Sequence, residues 1–326
     1  MFKQKLYPWF KYIYKKIIIY YKKKKIKNTL FIYNLNNIGC EVLFQKIILW
    51  LFCKNKNEKN CGICYNCNLI LTENHPDLLV VNKKKTEKFI DINYINNLID
   101  YINIKSQVNN IKVIYFPKIE LLNKIAIFKL LTILKQKKKK IFFIIQCNKF
   151  SNLILNIKKI CFCLNLNLPK EEISINWLKK KYSNIYKIKT ALYLNNYSPL
   201  LAYEMLNSNI WKDRNKLFNL INNCLINKKI FFFFKIIKFN NLKQYIYWIY
   251  TLLIDLIKFK QNCKYYIINK DKIKIIINLS NYITLPKLFF LIKKINIIQY
   301  KLKIIKKVNI KILLLKQLIF FIKYLK

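Results

Sequence analysis

The stretch Cys53–Cys67, CKNKNEKNCGICYNC, carries four thiols in the spacing C-x7-C-x2-C-x2-C, with Gly62 in the turn between the second and third thiols. Four thiolates form a closed tetrahedral site of the kind that binds zinc structurally, because no coordination position stays open for water. Disulfides or isolated buried thiols are the alternatives, but such dense spacing without a secretion signal favours metal. The predicted zinc ligands are Cys53, Cys61, Cys64 and Cys67.

The other cysteines of the chain lack metal-binding spacing, and we assign them no chemistry. They are expected to be small apolar residues, and they are Cys40, Cys147, Cys161, Cys163, Cys224 and Cys263.

The net charge of the chain is extreme, but it is poor evidence of function. The 326 residues include 62 Lys and Arg against 14 Asp and Glu, a formal net charge of +48. Such a charge usually indicates binding to nucleic acid or to an anionic membrane. Here it is almost entirely lysine, spread from end to end, with Arg214 the only arginine and only 2 glycines. This profile is expected of a highly AT-biased genome, so runs such as Lys22–Lys25 and Lys137–Lys140 are interpreted as solvated lysines.

The chain is expected to be cytoplasmic. Its first residues have scattered charges and no apolar segment typical of a signal peptide. The longest apolar runs, such as Tyr245–Ile254, are shorter than the roughly 18–20 residues that cross a bilayer. Because 54% of the residues are hydrophobic, the composition predicts packed cores and surfaces that bind partner subunits.

A strand, turn and helix near the start have the order of a phosphate-binding loop. Thr29–Tyr33 is apolar and predicts a buried strand, and Glu41–Phe52 has helical periodicity. A phosphate loop requires glycines that bring the backbone close, and a lysine followed by Ser or Thr that reaches the phosphates and magnesium. The connecting segment has Gly39 alone, and Cys40-Glu41 stands where Lys-Ser/Thr is needed. The site near Gly39 is therefore predicted to be degenerate.

Further strands alternate with helices as far as residue 167, which predicts a mostly parallel sheet covered on both faces. The segment Ile111–Phe116 resembles a strand that ends in magnesium-binding acidic residues in ATPases. It is followed by Pro117-Lys118-Ile119-Glu120, so lysine occupies the metal-binding position. The only histidine, His75, is expected to be a turn or packing residue. The remaining predicted strands are Leu78–Val81, Ile141–Gln146 and Phe162–Leu166.

From Pro169 onward the pattern is helical, with amphipathic segments whose apolar faces exceed the needs of one small bundle. We therefore expect this part to oligomerise. The predicted helices are Glu171–Lys181, Lys187–Asn195, Pro199–Asn207, Trp211–Ile226, Leu242–Phe259, Pro286–Ile297 and Ile312–Lys323.

Taken in order, these features resemble the delta-prime family of bacterial DNA polymerase III clamp-loader subunits. The most specific feature is a four-cysteine module inserted behind a phosphate loop that has lost its lysine. The other matching segments are Tyr7-Pro8-Trp9, His75-Pro76-Asp77, Lys112–Phe116, Leu130-Leu131, Cys161, Pro169–Leu178, Ser198-Pro199, Trp211–Leu217 and Trp248–Lys258.

The resemblance implies an α/β plus all-α protein of the AAA+ class. Residues 1–167 would form a RecA-like domain with the zinc module at 53–67, residues 168–208 a small helical lid, and residues 209–326 a C-terminal helical collar. It implies a stator without catalytic residues that does not hydrolyse ATP. Its expected partners are the gamma/tau and delta subunits, and through them the sliding clamp and primed DNA. The only expected cofactor is structural zinc.

One departure from the family affects catalysis by the neighbouring subunit. The family's Ser-Arg-Cys motif places an arginine at the neighbour's ATP, whereas this chain has Lys158-Lys159-Ile160-Cys161. Lys158 and Lys159 are therefore candidates for that contact, and solvated lysine is the alternative. Two other functions stay open at this point. The chain could be a gamma/tau-like ATP-binding motor, or an independent zinc-containing protein that binds nucleic acid.

Overall fold

The computed structural model describes residues 4–26, 28–33, 37–56, 59–82, 89–136, 140–149, 151–227 and 242–304. Contacts divide the chain into two compact units, Met1–Ile173 and Ser174–Lys326. The predicted helix Ile312–Lys323 lies outside the described residues.

The first unit is built on a five-stranded parallel sheet in the order β2-β3-β4-β1-β5. Every predicted strand is present, with ends that differ by at most a few residues. Each is short and apolar, as expected for strands of a parallel sheet covered on both faces. Their bounds are Thr29–Tyr33 (β1), Leu78–Val80 (β2), Lys112–Phe116 (β3), Ile141–Cys147 (β4) and Phe162–Asn165 (β5).

Helices cover both faces of this sheet, because successive side chains of a strand point to opposite faces. On β4, Phe143 and Ile145 belong to the core formed with α4, α5 and α6, whereas Phe142 contacts Tyr21 of α1 at a centroid distance of 5.6 Å. The helices of this unit are Lys11–Lys22 (α1), Cys40–Phe52 (α2), Tyr65–Leu71 (α3), Ile92–Asn103 (α4), Lys124–Lys135 (α5) and Asn152–Ile160 (α6).

The second unit is helical, as predicted, and its described helices surround one continuous core. Residues of the predicted lid, such as Leu192, and of the predicted collar, such as Leu252, share that core. The division at residue 208 stays a prediction. The helices are Glu171–Lys179 (α7, which begins at the end of the first unit), Ile185–Leu194 (α8), Pro199–Asn207 (α9), Asn209–Asn227 (α10), Leu242–Lys260 (α11), Ile273–Tyr282 (α12) and Leu285–Ile304 (α13).

A buried polar cluster joins these helices around Arg214, which is fully buried. Its guanidinium donates to both carboxylate oxygens of Asp271, at 2.8 and 2.9 Å, and to Oδ1 of Asn269 at 2.7 Å. The backbone N–H of Asp271 donates to the hydroxyl of Thr190 on α8. Arg214 therefore ties α10 to the 269–271 segment, and the backbone of Asp271 ties that segment to α8.

None of the described helices is on its own both long and apolar enough to cross a lipid bilayer. The segments Lys270–Tyr282 and Leu285–Lys301 meet those criteria only as a pair, and the pair is bent by 114°.

Candidate zinc centre and degenerate nucleotide site

The four predicted zinc ligands converge on one point. The Sγ atoms of Cys53, Cys61, Cys64 and Cys67 all lie within 4.8 Å of one another. Zinc–sulfur bonds of about 2.3 Å in a tetrahedron place sulfurs about 3.8 Å apart, so the cluster has the dimensions of a four-thiolate site. These residues fit a structural zinc ion.

The end of α2, the turn at Gly62 and the start of α3 bring the four sulfurs together. Cys53 ends α2, Cys64 caps the start of α3, and Cys67 lies in the first turn of α3. Gly62 has φ +78°, a left-handed conformation that suits glycine and reverses the chain between Cys61 and Cys64.

Backbone hydrogen bonds favour a thiolate at the exposed side of the cluster. The N–H groups of Ile63 and Cys64 lower the pKa of the Cys61 thiol to about 6. Burial raises the pKa of Cys53 and Cys67, so these two thiols need a cation to be deprotonated at neutral pH. A divalent metal supplies that charge when bound.

The His75-Pro76-Asp77 segment fastens the module to the sheet. His75 is buried with its ring 4.2 Å from that of Phe52, next to Cys53, and its Nδ1 accepts a hydrogen bond from the N–H of Asp77. This position is consistent with the packing role expected of the histidine.

Asp77 binds the loop that precedes β3. Its carboxylate accepts hydrogen bonds of 2.8–3.0 Å from the backbone N–H groups of Gln107, Val108 and Asn109. Asn66, inside the cysteine module, donates to Oδ1 of Asn109 and to the carbonyl oxygen of Phe52, both at 2.9 Å. The module is therefore tied to the 107–109 loop and to the end of α2.

Residues 37–41, which the structure describes at the turn before α2, include neither the lysine nor the Ser or Thr that a phosphate loop requires. Gly39 caps α2 with φ +82°, and the carbonyl oxygen of Ile38 accepts a hydrogen bond from the indole N–H of Trp9 at 3.1 Å. Cys40 is buried with a raised pKa, and burial is the main cause. Glu41 lies in the first turn of α2, where its negative charge would repel the phosphates that a helix N-terminus otherwise attracts.

A hydrogen-bonded pair of side chains from β3 and β4 lies near the start of α2. The hydroxyl of Tyr115 donates to Oε1 of Gln146 at 3.1 Å, and both residues are buried. Burial, with the charges of Glu41 and Cys40, raises the pKa of Tyr115 well above its usual value. Glu120 accepts a hydrogen bond from the N–H of Asn148. A neutral phenol and an amide thus lie near the start of α2.

Lys158 and Lys159 lie in the last turn of α6, where lysines also stabilise the negative end of the helix dipole. The carbonyl oxygen of Lys158 accepts a hydrogen bond from the Cys163 thiol at 3.0 Å. Lys159 is exposed, whereas Ile160 packs against the core of the sheet.

Sequence reasoning did not find Tyr115, Gln146 or the role of Asp77. A signal was available for Gln146, since it is a polar residue within the otherwise apolar strand IFFIIQC. The 107–109 loop, which Asp77 holds, has no local pattern that would have identified it.

Family models and curated relatives match nearly the whole chain and indicate the same family. Residues 11–170 match the family model described as "DNA polymerase III, delta subunit", and residues 208–323 match the one described as "DNA polymerase III, delta subunit, C terminal". The DNA polymerase III subunit delta' of Buchnera aphidicola subsp. Schizaphis graminum is 32% identical over 98% of both chains. That of Yersinia pestis is 26% identical over 96% of this chain and 94% of its own.

Two solved structures align with low similarity. A gamma subunit-related protein of Thermotoga maritima aligns with TM-score 0.46 and 14% identity, over 97% of this chain and 99% of its own. The clamp loader delta protein of Bacillus subtilis aligns with TM-score 0.34 and 13% identity, over 95% and 99%. The family assignment depends instead on the curated relatives and family models. By that evidence, the chain belongs to the DNA polymerase III delta-prime subunit family.

Proposed function

We propose that this chain is the delta-prime subunit of a DNA polymerase III clamp loader and acts as a stator that does not hydrolyse ATP. In this role it assembles with gamma/tau and delta subunits. The assembled complex loads the sliding clamp onto primed DNA. The observation that carries the proposal is the start of α2, where Cys40 and Glu41 stand in place of the Lys-Ser/Thr of a phosphate loop. The role requires a cytoplasmic location, where replication takes place.

The four-cysteine cluster supports a structural contribution of zinc to this role. Its sulfurs come from the end of α2 and the start of α3, and bound zinc would hold these helices together. The hydrogen bonds of Asn66 and Asp77 to Asn109 would then fix the 107–109 loop, which precedes β3. With four protein ligands the metal would have no open position for catalysis.

Exposed apolar side chains of the C-terminal helices would form the assembly surface of the collar. Along α13 the apolar side chains of Phe289, Ile297 and Tyr300 are 55%, 44% and 66% exposed, while Leu288, Leu291 and Ile295 face the core. Partner helices would cover the exposed side chains. We also propose that the chain forms three domains, with boundaries after residues 167 and 208.

We also propose that Lys158 and Lys159 act on the ATP bound by a neighbouring subunit. The end of α6 supplies two charges in place of the family's arginine. A lysine is a point charge without the planar fork that meets two phosphate oxygens, so the contribution is expected to be smaller than that of an arginine.

Reconstitution tests the function. The purified chain alone should show no Mg²⁺-dependent ATP hydrolysis, and it should enter a salt-resistant complex with gamma/tau and delta that loads clamps. The F289S/Y300S variant should assemble poorly, whereas N296S, an exposed control on the same helix, should assemble normally. Hydrolysis by the chain alone, or clamp loading that is equally fast without it, would contradict the proposal.

A further inference from the structure

Tyr14 of α1 carries a buried hydroxyl that has no hydrogen-bond partner among the described residues. The residue is only 5% exposed, and the hydroxyl oxygen itself is shielded from solvent. A buried donor that makes no hydrogen bond destabilises the folded chain. The hydroxyl therefore needs an acceptor in its immediate surroundings.

The packing of α1 against α2 brings Tyr14 near the first predicted zinc ligand. The rings of Tyr21 and Trp50 meet edge to face, with their centroids 5.6 Å apart. Tyr14 lies two helical turns before Tyr21 on the same face of α1, and Cys53 follows Trp50 by about one turn at the end of α2. Tyr14 also lines a cavity together with Cys61 of the zinc module.

Electrostatics give the same placement. Burial raises the pKa of Tyr14, and the nearby charge of Cys53 raises it further. The phenol is therefore neutral at neutral pH and keeps the proton that it can donate.

The sulfur of Cys53 can accept a hydrogen bond once its thiol is ionised. Cys53 is fully buried, and its Sγ accepts a hydrogen bond from the backbone N–H of Cys61 at 3.3 Å. Its thiol proton is donated to the carbonyl oxygen of Asn55 at 3.4 Å, and metal binding removes that proton. The resulting thiolate is shielded from water, so donors from the protein must stabilise it.

Lys56 is a second group near this sulfur, and it acts differently. Its Nζ lies 6.0 Å from the centroid of the Trp50 ring. Burial lowers the pKa of Lys56, and the charge of Cys53 raises it. Lys56 is exposed, so its attraction to the thiolate is screened by salt, whereas a contact from the buried hydroxyl is not.

We propose that the Tyr14 hydroxyl donates a hydrogen bond to Sγ of Cys53 when the module holds zinc, and that it thereby positions this ligand. One bond would satisfy both the buried hydroxyl and the buried thiolate, and it would link α1 to the zinc module. Partners of metal ligands typically contribute about 10–100-fold to metal affinity. The inference rests on the zinc centre proposed above.

Competition with a chelator of known zinc affinity, performed on the full chain, tests this contact. We expect Y14F to weaken zinc binding about tenfold, equally at low and at high salt. K56Q should weaken binding at low salt only. Y12F removes a hydroxyl from a residue of the same helix that is 75% exposed, and it should leave the affinity unchanged.

Thermal unfolding separates a metal-dependent contact from a purely structural one. In the zinc-free chain the hydroxyl lacks a partner, so Y14F should melt at the wild-type temperature or above it. In the zinc-loaded chain Y14F should melt below the wild type. With cobalt in place of zinc, the sulfur-to-metal charge-transfer band of Y14F should move to longer wavelength, because the sulfur has lost a donor.

Equal zinc affinity of Y14F and the wild type would overturn the inference. An equal drop in melting temperature with and without zinc would also overturn it, because the hydroxyl would then serve the fold alone. A wild-type chain that binds no zinc would contradict the zinc centre and this contact together, whereas normal zinc binding by both proteins contradicts the contact alone.

Discussion

Replacing Arg214 should destabilise the second unit more than any surface change. R214A would leave the Asp271 carboxylate, 7% exposed, and the Asn269 amide without the guanidinium that they bind at 2.7–2.9 Å. Removing one partner of a buried ion pair costs about 3–5 kcal/mol. For a unit of this size, that predicts a melting temperature lower by roughly 10 °C or more.

Two further variants separate geometry from charge. R214K keeps the charge but loses the planar fork, so it should cost about 1.5–3 kcal/mol. R214M/D271M removes both charges and should recover part of the loss, since a buried pair is often replaceable by apolar residues. K212A, exposed on the same helix, should change stability by less than about 0.5 kcal/mol.

Urea unfolding followed by circular dichroism measures these differences, and amide hydrogen exchange reports whether residues 267–271 open first. Asp255 accepts hydrogen bonds from the N–H groups of Ile268 and Asn269, so R214A should loosen that segment while Asp255 still holds one end. An unfolding free energy for R214A within about 1 kcal/mol of the wild type would refute the assignment of Arg214 as the central tie of this unit.

Four other predictions follow from the first unit. Chelation, or C67S, should release one zinc ion per chain and unfold residues 53–67 with α3, seen as a small loss of helical signal because α3 has 7 residues; zinc-free protein purified without chelator would count against the site. C40K/E41T should not create Mg²⁺-dependent ATP binding, because Gly39 is still the single glycine of the segment between β1 and α2; micromolar binding would show that the two substituted residues alone disable the site. K158A/K159A should lower clamp- and DNA-stimulated ATP hydrolysis by the reconstituted partners about tenfold, or about 1.4 kcal/mol on the barrier, with assembly intact; an unchanged rate leaves a purely structural role. Burial lowers the pKa of His75, so the unfolded chain takes up the proton first as pH falls, and the unfolding free energy should decrease below about pH 6.5; H75N should flatten this dependence, and an identical slope in both proteins would exclude His75 as its source.

The sequence alone determined the features that depend on near neighbours in the chain. The four-thiol spacing identified the zinc candidates because ligand turns are local, and short apolar runs located all five strands. Loss of Lys-Ser/Thr after Gly39 was equally visible. Helix α3 was missed because seven residues are too few for a periodic signal, and α12 because its isoleucine run obscures any single apolar face.

Only the tertiary structure decided which distant residues meet. Tyr115 and Gln146 lie on adjacent parallel strands 31 residues apart, and Arg214 meets Asp271 across 57 residues. Side-chain periodicity reports which face of an element is buried, but parallel pairing and helix packing choose its partner, and no local pattern encodes that choice.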